Sequence, residues 1–417
     1  MEWIIFFQPA NSVYSSAERS ESQRVRLQLL SPFLPKPNVK SYFLIGVDIT
    51  PAPRNFAKTL EDRHVVYQPN PAPGNKPIAI GHHYSTVAIF PEKEDKSPPW
   101  AIPMRIERIP SGEKGTDIAR MQIEELMDDK KLPFNNALTV NVADSSFSIA
   151  SFLGKTCELE NLVTVTRSRG NRVYFRLPNP SPVKPSKGRP KCFGKRFDMK
   201  NPKTWGDADQ IIDHPHKRPS GKQVTIKLEV WDNLLMPGKR GIPMHQNPFT
   251  LIRACMLNED GTSVFKRPLW LIVIGKRKNE ISPIDAWLCY RQRYDLEHFY
   301  RFGKGKLLMA SYQTPNTEHE ENWWEIVGLA YFQLWMAKPL ANALPYPWEK
   351  YAQSASEKPR PLGPSQVQRD FERIISQIGA TLPPPKPRGK SPGRAHGHSP
   401  GRRTRPPIIY KHEKKAA

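Results

Sequence analysis

Hydrophobic residues along this chain form short continuous runs that are typical of buried strands. One run covers Tyr42–Val47 and is followed by Asp48, where the strand is expected to end in a proline-rich turn. A second run, Leu138–Ala143, stops in the same way at Asp144. The same pattern predicts further strands at residues 64–67, 84–90, 162–166, 224–231 and 269–274.

Other segments repeat apolar residues every three or four positions, which is the spacing of a helix that buries one face. On this basis helices are predicted at residues 13–30, 116–127, 146–153, 321–338 and 365–378. A further helical pattern begins at Ser282 and continues for roughly two dozen residues. His82 and His83 are expected in a turn before one of the strands. Strands and helices together predict a protein of the α/β class.

The chain has 417 residues, enough for one large domain or two ordinary ones. Its 63 Lys and Arg residues exceed its 40 Asp and Glu residues, which gives a net charge of +23. A polyanionic partner is expected, because each cation that neutralises a phosphate releases a counterion. The charge alone suits a ribosomal protein or a membrane-surface protein equally well, so it defines a class of partner and no chemistry.

Two segments concentrate the positive charge. Residues 167–203 contain 12 Lys and Arg against one acid, and residues 386–417 contain ten against one. The first segment interleaves arginines with aromatic residues, so it suits a groove for a DNA backbone, with a solvated loop as the alternative. The second is either a non-specific DNA-binding tail or simply a disordered end.

Cysteine spacing and hydropathy narrow the class of protein further. The four cysteines lie far apart, without the spacing of a zinc site or a disulfide framework. The apolar start, Met1–Phe7, is too short for a signal peptide. No run of 18 or more uncharged apolar residues occurs, so a membrane partner is not expected. These features predict a soluble, intracellular protein.

Asp48 and Asp144 invite a common explanation. A carboxylate at the end of a buried strand lies at the edge of the core, and two adjacent strands would bring both carboxylates to one metal ion. Ligation by oxygen alone favours Mg²⁺ or Mn²⁺. For either residue taken alone, ordinary turn chemistry is the alternative, because turns are rich in aspartate.

A third acid, Glu297, stands in a regular pattern. Tyr290, Arg293, Glu297 and Lys304 are separated by three, four and seven residues, so on one continuous helix they share a face. Basic neighbours on that face would keep the acid ionised, as a metal ligand must be, and would themselves meet a phosphate. The alternative is a solvated charged face with weak ion pairs.

The tetrad Tyr290-x2-Arg293-x3-Glu297-x6-Lys304 resembles the Y-R-E-K signature of DDE transposases from bacterial insertion sequences. The strand VDIT around Asp48 and the segment ADSSF around Asp144 resemble the first two acidic motifs of that family, in the expected order. The likeness extends over most of residues 40–400. It implies an RNase H-like mixed sheet flanked by helices, with a basic, partly β insertion before the helix that bears the last acid.

The resemblance also implies roles for individual residues. It makes Asp48, Asp144 and Glu297 the catalytic acids and the ligands of two Mg²⁺ or Mn²⁺ ions, with Asp48 between the ions. The DNA-binding residues are then expected to be Tyr290, Arg293, Lys304, Arg167, Arg169 and Arg172. The implied partners are DNA, as the inverted repeats of an element and its target, and a second copy of the chain on that DNA. The implied location is the cytoplasm of a bacterium, at the nucleoid.

The expected organisation has four parts. Residues 1–40 form an N-terminal helical segment, for which a truncated DNA-binding region is one interpretation, because only 47 residues precede Asp48. Residues 41–350 form the catalytic domain, with the basic insertion at 167–275. Residues 351–380 form a C-terminal helix, and residues 381–417 form a disordered basic tail.

Two other functions stay open. The first is a catalytically defective or truncated transposase remnant that acts only as a DNA-binding protein. The second is an RNA-binding or ribosome-associated basic protein, which fits the charge but leaves the tetrad unexplained.

Overall fold

The structure of the protein is a computed structural model. It describes residues 16–67, 77–93, 97–178, 191–218, 220–345, 349, 361–379, 393, 396–397 and 401–410. Residues 179–190 of the basic insertion and most of the tail predicted to be disordered lie outside the described residues.

Within the described residues, a mixed sheet of ten strands forms the centre of the fold. Its strands run in the order β2-β3-β1-β5-β6-β12-β11-β10-β9, with β4 paired to β3. Two short strands, β7 and β8, form a separate pair. The bounds are β1 (Phe43–Pro53), β2 (His64–Tyr67), β3 (Ile78–Phe90), β4 (Ile102–Ile109), β5 (Thr139–Ala143), β6 (Leu162–Arg167), β7 (Val173–Phe175), β8 (Arg196–Asp198), β9 (Gln210–Lys217), β10 (Gln223–Leu234), β11 (Phe249–Leu257) and β12 (Leu269–Ile274).

Helices cover this sheet. Their bounds are α1 (Ser16–Leu30), α2 (Gly115–Asp128), α3 (Ala150–Thr156), α4 (Pro283–Gln292), α5 (Tyr294–Lys306), α6 (Thr317–Ala337) and α7 (Pro364–Ile378). No helix in the described ranges is both long and apolar enough to cross a lipid bilayer.

Parallel pairing is confined to the middle of the sheet. β5 runs parallel to β1 on one side and to β6 on the other, while the remaining neighbours are antiparallel. The apolar runs explain this position, because β1 and β5 are buried on both faces and their side chains do not alternate with polar ones. A mixed sheet with helices packed against it is consistent with an RNase H-like fold, so the predicted fold class is confirmed.

The packing of α6 shows how the helices close the core. Trp324 is fully buried and its ring stacks on that of Tyr84 in β3, with 3.9 Å between centroids. Tyr331 packs edge to face on Trp100 at 5.5 Å, beside β4. Buried aromatic pairs of this kind add about 0.5–1.5 kcal/mol beyond the area they bury. They fix α6, and with it the end of α5, against the sheet.

Between β6 and β12 the chain leaves the centre of the sheet and returns to it. β9, β10 and β11 extend the sheet beyond β12 as antiparallel strands, and the β7–β8 pair contacts them through a bridge between Phe175 and Leu235. These strands occupy the predicted basic insertion, which is therefore partly β. The proposed domain bounds themselves remain a prediction. In the tail, Ile409 pairs with His64 of β2 in parallel orientation.

Three local predictions were wrong. The helix predicted at 146–153 begins at Ala150, after a turn. β1 does not stop at Asp48 but continues to Pro53, because its second half pairs with β3 as far as Gly81. His82 and His83 lie inside β3 and not in a turn, where His82 is fully buried.

Candidate active site

The register of the sheet brings two carboxylates together. Val47 of β1 lies opposite Ala143 of β5, and this is the last pair of the parallel ladder. Asp48 and Asp144 are the next residue on each strand. Neighbouring strands lie about 4.8 Å apart, so these two aspartates start from adjacent positions at one edge of the core.

The turn after β5 orients Asp144. The Ser146 amide and hydroxyl both donate to Asp144 Oδ1, at 2.7 and 2.6 Å. The Thr166 hydroxyl of β6 donates to the Asp144 carbonyl oxygen at 2.6 Å. The segment ADSSF therefore also orients the carboxylate of Asp144, because Ser146 donates both of its bonds to one oxygen, Oδ1, and not to the other.

The tetrad does not lie on one continuous helix, contrary to the prediction. α4 ends at Gln292 and α5 begins at Tyr294, so Arg293 is the junction between them. The Arg293 amide bonds to the Tyr290 carbonyl at 3.2 Å, three residues back, as in a tight turn. Arg293 keeps helical backbone angles, and the chain bends without losing the direction of its side chains.

Arg293 stands between two of the acids. Its Nη2 donates to Glu297 Oε1 at 2.8 Å, and its Nη1 lies 3.6 Å from Asp48 Oδ2. Burial works against the charge of Arg293, but Asp48, Tyr290 and Glu297 outweigh it and raise the pKa of the guanidinium. The last acid of the tetrad is thereby tied to the acid of β1.

The Asp48 carboxylate feels the charges of both other acids. The pKa of Asp48 is raised to about 6, mainly by burial and also by the charges of Asp144 and Glu297, while Arg293 and the Ile49 amide act in the opposite direction. Its side chain is only 18% exposed. The negative charges of Asp144 and Glu297 disfavour the ionised form of Asp48, and the positive charge of Arg293 offsets part of this effect.

Lys304 contacts β1, the strand that carries Asp48. Its Nζ donates to the Thr50 hydroxyl at 2.7 Å and to the Pro51 carbonyl at 3.0 Å, both on the part of β1 beyond Asp48. Burial lowers the pKa of this amine to about 8, although Asp48 acts in the opposite direction. At pH 7 Lys304 is therefore mostly charged.

Tyr300 was missed at the level of sequence. Its hydroxyl donates to the Asp48 carbonyl oxygen at 3.2 Å, and its ring lies 5.7 Å from Lys304 Nζ. Burial raises the pKa of this phenol well above its ordinary value, so it stays protonated and remains a donor. The signal was available, because Tyr300 lies one helical turn before Lys304 on the same face.

The remaining DNA-binding candidates are placed unequally. Tyr290 is half-buried, with the Arg293 guanidinium 5.9 Å from its ring centre, and it feels the charges of Arg167 and Asp144. Arg167, at the end of β6, is exposed beside this site. Arg169 is exposed in the following turn, whereas Arg172 is half-buried and its Nε has no hydrogen-bond partner. Of the three arginines, Arg167 is the one whose charge acts on the tetrad.

The chemistry of the donor set suits a hard divalent cation, since Asp48, Asp144 and Glu297 offer carboxylate oxygens alone. Within the described residues, however, no three Asp, Glu, His or Cys side chains lie close enough together to form a finished metal site. In this structure the Arg293 guanidinium pairs with both Asp48 and Glu297. The residues fit a metal ion in charge and ligand type, and a bound cation would take over the compensating role of Arg293.

A buried polar network adjoins the site and was also missed. Arg54 Nε lies 3.1 Å from Glu320 Oε1, and the other oxygen of Glu320 lies 2.9 Å from His82 Nδ1. All three side chains are fully buried. Arg54 follows the end of β1 and its charge acts on Lys304. The network therefore joins β1, β3 and the start of α6 behind the tetrad.

Asp48→Asn is expected to stabilise the metal-free protein at pH 8 and to lose that advantage at pH 4. The folded state holds the Asp48 proton up to about pH 6, whereas the unfolded chain releases it near 3.8. Stability therefore falls as the pH rises through that window. The shift corresponds to about 3 kcal/mol at most, with about 1 kcal/mol or more expected after relaxation. Urea unfolding with a chelator present measures this, and an equal effect at both pH values would refute it.

Comparison with known proteins identifies a family. Residues 11–228 match the family model described as DDE superfamily endonuclease, which is more than half of the chain. The matched range contains Asp48 and Asp144 and ends before Tyr290. No match was found among curated proteins.

Proposed function

The chain belongs to the DDE superfamily of endonucleases, and on that premise we propose that it is a DNA transposase of the insertion-sequence type. It cleaves DNA at the ends of its element and joins them to a target, with Asp48, Asp144 and Glu297 as the catalytic acids. One observation carries the proposal. The tetrad lies outside the matched range, yet its Arg293 lies 3.6 Å from the Asp48 carboxylate and donates to Glu297 at 2.8 Å.

Endonucleases of this superfamily generally use divalent metals. Two Mg²⁺ or Mn²⁺ ions held by the three acids would supply Lewis acidity for an in-line displacement at phosphorus. Asp48 contributes a carboxylate fixed within a paired strand, with Thr86 of β3 opposite it. Asp144 contributes one oxygen that is free of the Ser146 bonds. Glu297 would hold an ion through its carboxylate, one oxygen of which accepts from Arg293 in this structure.

The basic residues of the tetrad then serve the DNA. With cations held by Glu297 and Asp48, the Arg293 guanidinium would be available to the scissile phosphate, because its planar fork suits two phosphate oxygens. Lys304 offers a second, compact positive charge. Tyr290, in the field of Arg293 and Arg167, positions the backbone. Arg167, Arg169 and Arg172 contribute to the path of the DNA beyond the site.

The proposed partners follow from the same site and from the charge of +23. The substrate is DNA that carries the inverted repeats of the element, and the product is a joint with target DNA. A homodimer on the DNA would present two such sites, one for each end. The proposed location is the bacterial nucleoid.

The test is cleavage of DNA that carries the ends of the element by the purified protein in Mg²⁺ and in chelator. Cleavage is expected only with metal, and Asp144→Asn is expected to lower its rate by about 10³-fold or more. Normal cleavage by that variant would overturn the assignment of the acids. Binding without any metal-dependent cleavage would favour the alternative function, a transposase remnant that only binds DNA.

A further inference from the structure

A second basic site lies away from the three acids, where α4 meets the inserted strands. It is a cavity of about 270 Å³. Its walls include Arg218 after β9, Arg267 before β12 and Arg291 on α4, together with Trp287, Phe265 and Cys255. We call it the arginine pocket. At about 30 Å³ for each water, it has room for a phosphate group with its sugar.

Arg291 is held in place by two ring systems. Its guanidinium carbon lies 4.8 Å from the centre of the Trp287 ring. Its Nη1 donates to His216 Nε2 at 2.7 Å, and the His216 ring packs edge to face on Trp287 at 5.3 Å. An arginine fixed in this way loses little freedom on binding a ligand, and its remaining N–H groups are available to an acceptor.

The positive charge of the pocket is not compensated. Among the residues that the structure describes, no carboxylate forms an ion pair with Arg218, Arg267 or Arg291. Partial burial lowers the pKa of Arg291, and the charge of Arg218 lowers it further. Arg293 offers a contrast, because acids on two elements raise the pKa of its guanidinium. A pocket with three cations and no internal anion favours an anion from outside.

The pocket is connected to the catalytic site through α4. Trp287 lies one helical turn before Tyr290, which is roughly 4.5 Å along the helix axis, and Arg291 is the next residue after Tyr290. A single strand of DNA carries a phosphate about every 3.4 Å along the axis of a duplex. A strand bound in the catalytic site therefore carries further phosphates beyond the one at the acids.

We infer that the arginine pocket binds a backbone phosphate of the DNA substrate, outside the catalytic site. Arg218, Arg267 and Arg291 hold the phosphate oxygens, while Trp287 and Phe265 form the wall against the sugar. The inference rests on the proposed function for the identity of the polymer as DNA. An acidic protein segment would meet the same charges, but a chain that cuts DNA brings phosphates to this helix in every catalytic cycle.

The test measures DNA binding without metal, as a function of salt, by fluorescence anisotropy with a labelled duplex. Arg218→Ala and Arg267→Ala are each expected to weaken binding and to lower the slope of log K against log salt by about 0.9. The double variant is expected to lower it by about twice as much. Arg267 is exposed and Arg218 is half-buried, so the folds of the variants are checked by their unfolding transitions.

Arg240→Ala is the matched control, because Arg240 is exposed on the same insertion and does not line the pocket. Its slope is expected to stay unchanged. An equal loss of slope in Arg240→Ala would mean that only net charge matters and would overturn the inference. Unchanged slopes in the pocket variants, with Mg²⁺-dependent cleavage intact, would overturn the inference and leave the proposed function standing. If the pocket variants lowered the slope but the unsubstituted protein showed no Mg²⁺-dependent cleavage, the inference would stand and the proposed function would be overturned.

Cys255 gives a second readout that does not depend on affinity. It lines the pocket and is half-buried, so bound DNA is expected to slow its alkylation by iodoacetamide several-fold. The Arg218→Ala/Arg267→Ala variant is expected to lose this protection at saturating DNA. Duplexes with and without 5′-phosphate ends should protect equally if a backbone phosphate is bound. Protection by polyglutamate but not by DNA would assign the pocket to an acidic protein.

Discussion

Glu297→Gln lowers the rate of Mg²⁺-dependent DNA cleavage by about 10³-fold or more, while DNA affinity without metal stays within about twofold. The glutamine oxygen can still accept the bond from Arg293, so the junction between α4 and α5 is preserved. The negative charge is lost, and with it one of the three ligands proposed for the divalent cation. Single-turnover cleavage and metal-free binding, measured on the same preparation, separate the two effects.

Glu280→Gln is the matched control for this variant. Glu280 pairs with Arg277 at 2.6 Å, so the substitution removes an acid from a comparable arginine pair outside the catalytic site. Cleavage is expected to be normal. If Glu297→Gln cleaved DNA as fast as Glu280→Gln, Glu297 would be a solvated residue of a charged face, as the sequence alone allowed.

Glu320→Gln destabilises the protein by about 3–5 kcal/mol at pH 7. The glutamine keeps the size of the side chain but leaves the Arg54 charge buried and without compensation. Burial alone would raise the pKa of Glu320, but His82 and Arg54 reverse this and lower it below the usual value of 4.5. The stabilisation is therefore present above that value and is lost as the pH falls below it. Urea unfolding at pH 7 and pH 4 should show a smaller effect at the lower pH.

Glu318→Gln provides the comparison, two residues earlier on α6 and half-exposed. A change of about 0.5 kcal/mol or less is expected there, as for most surface substitutions. A similar change in both variants would show that the buried network contributes little. If Glu320→Gln lost cleavage under conditions where the protein stays folded, this result would show that the buried network also positions Lys304.

Elements with strong local patterns could be predicted from the sequence. The run LWLIVI matches β12 residue for residue, and the predicted helix at 116–127 is α2. β4 was missed because Arg105 and Glu107 interrupt its apolar pattern, and these two residues pair with each other. β9 was missed because it is exposed or half-exposed along its whole length and depends on its pairing with β10.

The candidate site also combines features that are local in the sequence, which could be predicted, with features that depend on distant residues, which could not. The strands before Asp48 and Asp144 and the spacing around Glu297 are local features, and the structure places these side chains within electrostatic reach of one another. The break at Arg293 and the burial of His82 are not local. The partner of His82 is Glu320, 238 residues away, and no short-range pattern contains such a pair. A histidine after a glycine therefore suggested a turn where the chain forms a buried strand.

Because β1 continues past Asp48, the backbone of this acid is held by strand pairing on both sides. Asp48 has paired residues on both sides of it, up to Pro53 opposite Gly81, so its backbone cannot shift without breaking a ladder. Asp144 stands in a turn one residue beyond β5, and Glu297 lies in the first turn of a helix that begins at a bend. We therefore expect any adjustment to a substrate to fall to Asp144 and Glu297, while the backbone of Asp48 keeps its place.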